Sequence, residues 1–389
     1  MIPFAAATIG SMNACNSHHP MSEAALPTAV DLFSGCGGLS LGLFRAGFSV
    51  LAAVEIDPKA QETYRLNHKD VALYANDIRA LDASQVLDDV GLAPGELDLL
   101  AGCPPCQGFS RLRTKNQQPS VDDERNNLVG DFMRFVRVML PKTVMLENVP
   151  ALQKDARFLA MQEELTSLGY RLIVHVLNAA EYSVPQRRKR LIMLASRVHD
   201  PAVAEVSPAR ITVRDVLASL EAPSRSKDKL HSLPERRSQA VKDLIKLIPK
   251  NGGSRRQLSA EHQLACHLRT DGFYDVYGRM AWDEVAPTIT SGCHNPSKGR
   301  FLHPSRNRTI TLREAAMLQG FPRDYQFDVR HGKESIALMI GNALPPPFIE
   351  AHASSLLNGL RGAMDGMLGA IPGGGPVESL ASVRMAGKR

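Results

Sequence analysis

The chain has 389 residues, enough for two domains with full hydrophobic cores. Its hydrophobic share of 44% and charged share of 22% are those of an ordinary soluble protein, and the lack of an apolar run of membrane-spanning length excludes a helical membrane protein. The net charge of +6 suits a polyanionic partner, and six cysteines without disulfide-framework spacing or a preceding signal peptide point to a reducing cytoplasm.

Residues 1–27 are rich in small and polar side chains without apolar periodicity and read as a disordered leader. From Ala29 onward short apolar strands alternate with helix-length segments. Strands are expected over Ala29–Phe33 and Val50–Glu55, with helices over Leu39–Ala46 and Ala60–Asn67. A buried strand over Leu97–Ala101, a helix over Asn127–Leu140 and a strand over Thr143–Leu146 follow. This alternation predicts βαβ units and a mostly parallel sheet, the α/β class. Arg171–Leu177 and Arg190–Ala195 add two strands, expected as an antiparallel pair at one edge. Over 201–304 the rhythm is lost. Runs such as Ser224-Arg225-Ser226-Lys227 and Asn251-Gly252-Gly253-Ser254-Arg255-Arg256 predict a separate, loop-rich domain there. Regular structure returns over 305–360, where Thr311 is a good N-cap with Glu314 three residues on. A last helix is expected from Pro347 to about Leu360, before a flexible tail over 361–389.

The stretch Gly102-Cys103-Pro104-Pro105-Cys106-Gln107-Gly108-Phe109-Ser110 follows the buried strand. Two prolines fix φ twice and remove two donors, so the loop loses little entropy in ordering around Cys106. A thiolate nucleophile needs that geometry, because misplacement by about an ångström costs on the order of a hundredfold in rate. A Cys-x-x-Cys redox pair, a zinc site and a buried structural cysteine compete with this reading. Zinc would need Cys266-His267 or Cys293-His294, which lie far along the chain without close pair spacing.

Asp31-Leu32-Phe33-Ser34-Gly35-Cys36-Gly37-Gly38 reads as a strand, a glycine-rich turn and a helix start, where the backbone can approach a ligand closely. Its spacing is not Gly-x-Gly-x-x-Gly, which argues against a dinucleotide. Glu55 in Glu55-Ile56-Asp57 stands where ribose hydroxyls would be bound, and Asn76-Asp77-Ile78 ends a third strand, suited to an adenine edge. The plain alternative is a tight turn with two solvated acids. Glu147 in Glu147-Asn148-Val149 lies at the carboxyl end of a central strand, an active-site position in such sheets, against a helix-capping or surface acid. In Gln186-Arg187-Arg188-Lys189-Arg190, strand alternation puts Gln186, Arg188 and Arg190 on one side. A basic run that is otherwise solvated or phosphate-bound can therefore point inward.

The order of these blocks resembles the bacterial DNA (cytosine-5)-methyltransferases, which use S-adenosylmethionine. The family's Pro-Cys-Gln matches Pro105-Cys106-Gln107, its Glu-Asn-Val matches Glu147 to Val149, and its Gln-x-Arg-x-Arg matches Gln186, Arg188 and Arg190. Its first block matches Asp31 to Gly38, and late blocks match Arg313-Glu314 with Leu318-Gln319-Gly320-Phe321-Pro322, and Gly341-Asn342. Six blocks in family order carry the resemblance, across residues 29–200 and 278–350.

The resemblance implies a Rossmann-like S-adenosylmethionine-dependent catalytic domain over 28–200 and 305–360, with a target-recognition domain over 201–304. It implies Cys106 as the nucleophile at C6 of a flipped-out cytosine, Glu147 at N3, Arg190 at O2, and Arg188 as electrostatic support for Cys106 and Glu147. Cys103 is left as a packing residue. For the cofactor it implies Phe33, Gly35 and Gly37 around the methionine part, Glu55 on the ribose and Ile56 against adenine. Asp77 and Ile78 would bind the adenine, and Pro104, Leu128 and Asn342 would complete the pocket. No metal is implied. The partner is double-stranded DNA in a bacterial cytoplasm, at the nucleoid; a monomer is expected, either with a cognate restriction endonuclease or as a solitary methylase. A tRNA cytosine-5 relative would continue Pro-Phe-Thr after Pro-Pro-Cys-Gln, whereas Gly108-Phe109-Ser110 follows here. An amine-directed methyltransferase lacks its Asp/Asn-Pro-Pro-aromatic motif, and a catalytically dead DNA-binding relative is opposed by the presence of Cys106, Glu147 and Arg190.

Overall fold

A computed structural model describes residues 26–105, 128–263 and 274–369. Cys106, the leader up to residue 25 and the tail from 370 lie outside the described residues. In chain order come β1 (Thr28–Leu32), α1 (Gly38–Ala46), β2 (Ser49–Val54), α2 (Pro58–Asn67), β3 (Ala72–Tyr74) and α3 (Ala83–Asp89). Next are β4 (Leu99–Gly102), α4 (Leu128–Met139), β5 (Thr143–Asn148), α5 (Ala156–Ser167), β6 (Arg171–Asn178) and β7 (Lys189–Ser196). Every residue of β4 and β5 is buried, as central strands covered on both faces require.

The sheet order is β3-β2-β1-β4-β5-β7-β6. β1, β2, β3, β4 and β5 pair in parallel, whereas β7 runs antiparallel to both β5 and β6. The antiparallel edge pair is therefore present, joined through β7 rather than β6. Helices α3, α4 and α5 cover one face, their Val86, Phe132 and Phe158 fully or almost fully buried. α1 and α2 cover the other with Leu43 and Tyr64, together with Phe348 of the last helix. Burying each such side chain contributes about 1.5–3 kcal/mol.

Beyond β7 lie α6 (Val213–Leu217), α7 (Lys229–Ser232), α8 (Gln239–Leu247), α9 (Leu312–Leu318), α10 (Gly332–Asn342) and α11 (Pro346–Gly369). α11 packs on α1 where Gly42 leaves room: a Cβ there would stand 2.6 Å from that of Ile349. α11 runs past the expected end at Leu360, so the first nine residues of the expected tail, 361–369, are helical. Thr311 and Glu314 form the expected capping box. The stretch 201–304 is loop-rich, but its main core is shared: Val213, Leu230, Met280, Ile289 and Phe301 pack with Leu312, Phe321 and Ile336. Helices of four to nine residues present too little apolar face to close a core alone. Among the described residues no helix is long and apolar enough to cross a membrane.

Candidate active site

Five parallel strands put their carboxyl ends on one edge, and the winding reverses between β1 and β4, where such sheets open a crevice. The turn after β1 is left-handed at three alternate residues, Phe33 (φ 64°), Gly35 (φ 56°) and Gly37 (φ 93°). Gly35 faces open space, whereas a Cβ on Gly37 would meet His68 at 2.4 Å and Tyr325 at 2.6 Å. The positive φ favours glycine at both positions, and protein packing excludes a side chain at Gly37 as well. Glu55, just past β2, accepts the Gly35 N–H at one oxygen and the Asp57 N–H at the other, both at 2.7 Å. Burial raises its pKa above the usual carboxylate value, and each oxygen keeps a lone pair for a further donor. Next to it Ile56 is 60% exposed, an apolar surface open to solvent. Asn342 is exposed at the end of α10, Leu128 is half-buried at the start of α4, and Pro104 is buried after β4.

Asp77 and Ile78, expected at the adenine, both have protein partners. Asp77 caps a short 3-10 turn over Ile78–Ala80 and holds the Arg79 guanidinium, which lowers its pKa. The side chain of Ile78 is buried in the core beneath that turn, and its carbonyl accepts from Arg134.

The other half of the edge is charged and dry. Glu147, near the end of β5, is 1% exposed. Because β7 is antiparallel to β5, with Asn148 opposite Leu191, the start of β7 arrives beside Glu147. The Arg190 Nε lies 3.0 Å from Glu147 Oε1, and Cys103 Sγ donates to Oε2 at 3.1 Å. Oε1 accepts no hydrogen bond among the described residues. Burial raises the Glu147 pKa, and the charges of Arg190 and Arg188 act against that rise. Burial and the Glu147 charge push the Cys103 thiol well up, so it stays protonated and un-nucleophilic at neutral pH. Cys103 packs on the core as expected, but it also fixes Glu147.

Arg188 has a second role beside the expected electrostatic one. It lends charge to Glu147, yet its hydrogen bonds go to the carbonyls of Ile289 and Gly341 at 3.0 Å and Ala343 at 3.3 Å. It thus ties β7 to the turn that bears Asn342. Gln186, on the same side as expected, accepts the Ile289 N–H at 2.9 Å and donates to Leu318 O at 3.1 Å and to the Gln319 side chain. Asn148, absent from the expected set, donates to Pro104 O at 2.8 Å and so anchors the Pro-Pro loop that leads to Cys106. Its place within Glu147-Asn148-Val149 was the available signal.

A glycine-rich turn, the acid Glu55 and a buried Glu–Arg pair thus share the carboxyl edge of a Rossmann-like sheet. The profile of the C-5 cytosine-specific DNA methylases matches residues 28–358. The chain is 33% identical over 351 residues to the Type II methylase M.HgiDII of Herpetosiphon aurantiacus, covering 86% of this chain and 96% of that one. It is 32% identical to the Type II methyltransferase M1.HphI of Haemophilus parahaemolyticus, over 85% and 86% of the two chains. A crystal structure described as a DNA modification methyltransferase encoded within an E. coli prophage superposes with a TM-score of 0.62 at 26% identity, over 86% of this chain and 99% of that one. The chain belongs to the C-5 cytosine-specific DNA methylase family and is a DNA (cytosine-5)-methyltransferase.

Proposed function

We propose that this enzyme methylates cytosine within a specific duplex sequence through Cys106, using S-adenosylmethionine, and that it belongs to a restriction–modification system. The observation that carries the residue assignment is Glu147: a buried carboxylate between Arg190 and Cys103, with Oε1 free of hydrogen bonds among the described residues. Cytosine C5 is a poor nucleophile, so the ring is activated first. The Cys106 thiolate adds to C6, forming a C6–S bond and moving electron density towards C5 and N3. Glu147, its pKa raised by burial, holds a proton at N3, and Arg190 binds O2. Arg188 adds positive charge that favours the thiolate. After C5 gains the methyl group, its proton leaves to a water and the C6–S bond breaks, releasing Cys106. None of these atoms is reachable inside a duplex, so the base is flipped out at a cost of a few kcal/mol.

The cofactor fits the residues present. Gly35 opens to the cleft, Glu55 keeps acceptor capacity for ribose hydroxyls, and exposed Ile56 offers a face for adenine. Phe33, Gly37, Pro104, Leu128 and Asn342 border the same crevice in this reading, with the backbone at Asp77 and Ile78. When bound, S-adenosylmethionine supplies the electrophilic methyl group. The loop-rich 201–304 stretch reads the duplex across the cleft, mainly through phosphate contacts, while 28–200 and 305–360 hold the chemistry. The Type II naming of the relatives supports pairing with a restriction endonuclease, and a monomer suffices for one strand at a time. Incubation of duplex DNA with methyl-labelled S-adenosylmethionine is expected to yield labelled 5-methylcytosine, and Cys106→Ala is expected to abolish it. Transfer by Cys106→Ala at the wild-type rate would refute the assignment.

A further inference from the structure

Two buried rings from distant parts of the chain grip the outer side of the glycine-rich turn. The Tyr325 hydroxyl donates to Cys36 O, and His68 Nε2 lies 3.1 Å from both Gly37 O and the Tyr325 oxygen. Tyr325 spends its one proton on Cys36 O, so His68 must carry the proton on Nε2 to satisfy its two acceptors. His68 is 6% exposed and Tyr325 4%, and burial pushes the His68 pKa down to about 4, leaving it neutral at working pH. Phe44 stacks on His68 with centroids 5.5 Å apart, and Phe321 packs on Tyr325 at 4.6 Å, so neither ring is free to turn. Arg313 in turn donates to Tyr325 O at 2.7 Å and pairs with Asp228. Gly37 has no side chain because these rings occupy its place.

We propose that His68 and Tyr325 are positioning residues for cofactor binding: they hold the Cys36 and Gly37 carbonyls against the protein and so keep Gly35 and Glu55 in register for S-adenosylmethionine. The proposal rests on the reading of this turn as the cofactor site. A carbonyl fixed in direction fixes its peptide plane, and with it the course of a turn whose glycines would otherwise sample many conformations. Binding to a turn that is ordered only part of the time is weakened by the missing fraction. The core that 201–304 shares with Leu312 and Phe321, from which Tyr325 comes, thereby contributes to a pocket on the sheet.

The test is calorimetric binding of S-adenosylhomocysteine to the full chain, with duplex-DNA affinity measured without cofactor and thermal melting as a check on folding. Tyr325→Phe removes a single oxygen and is expected to raise the cofactor Kd about tenfold by leaving Cys36 O without its donor. Its DNA affinity should stay within about twofold, and the loss should appear in the cofactor KM rather than in kcat. His68→Gln, which keeps an N–H donor, should bind cofactor better than His68→Leu. Glu55→Gln serves as the control. If neither wild type nor any variant binds the ligand, the cofactor reading itself fails. If wild type binds, Glu55→Gln weakens it, and folded Tyr325→Phe stays within twofold, the positioning role is wrong. An equal loss of DNA affinity in Tyr325→Phe would also overturn it, since the residue would then act on the fold at large.

Discussion

Asp31 on β1 and Glu147 on β5 are both carboxylates buried in the same sheet, 0% and 1% exposed, and burial raises the pKa of both. Their partners differ. Asp31 accepts the Ser40 hydroxyl at 2.6 Å, with the Tyr64 hydroxyl behind it, and its pKa is pushed up to about 7. Glu147 has the Arg190 guanidinium at 3.0 Å and the buried charge of Arg188 to counter desolvation. Equal burial therefore raises both carboxyls, but only at Glu147 do neighbouring guanidinium charges work against the rise. Charge placed by a reversed strand makes the difference.

Removing the titrating function of Glu147 should give the largest effect. Glu147→Gln keeps shape but cannot exchange a proton, so kcat should fall by about 10² to 10⁴ with cofactor affinity unchanged, as steady-state and binding measurements would show. An unaffected kcat would place the N3 proton elsewhere. Arg188→Met comes next. It removes a buried cation that is 2% exposed and leaves three carbonyls without their donor, so chemical denaturation should register a loss of about 3 kcal/mol. It should also raise the Glu147 pKa further, moving upward the limb of the pH–rate profile that Glu147 governs. A variant as stable as wild type would contradict the role of Arg188 as the tie between β7 and the Gly341–Ala343 turn.

Asp31→Asn should be the mildest change and the one that separates the two sites. The folded pKa of about 7 lies above the ordinary 3.8, so protonation favours the native state. That contribution is full below about pH 4, declines as the pH rises and is gone above about pH 7. Asparagine has no proton to lose. The melting temperature of Asp31→Asn should gain on wild type between pH 5 and pH 8; a constant gap would show that Asp31 does not titrate on folding.

What could be read from the chain depended on how far apart the partners lie. The turn from Asp31 to Gly38 and the acid at Glu55 are local strand-end motifs, and alternation alone brought Gln186, Arg188 and Arg190 to one side. The guanidinium hydrogen bonds of Arg188 span 101 to 155 residues, and His68 meets Tyr325 across 257, distances over which no spacing rule operates. β3 is three residues long with a mostly polar surround, and so was legible only as the strand end before Asn76-Asp77-Ile78. The shared core of 213–340 was hidden for a related reason: its apolar residues sit in loops and short helices without period, and only the packing groups them. The commitment of Ile78 to the core likewise follows from the 3-10 turn that Asp77 caps, a local choice the motif does not announce.

The most direct test of the central claim uses duplex DNA carrying 5-fluorocytosine at a site the enzyme has been shown to methylate. Fluorine cannot leave C5 as a proton does, so the C6–S bond should persist. With cofactor, wild-type protein is expected to give a denaturant-resistant adduct whose mass maps to Cys106, and Cys106→Ala is expected to give none. Absence of an adduct with wild type, or an adduct mapped to Cys103, would contradict the account.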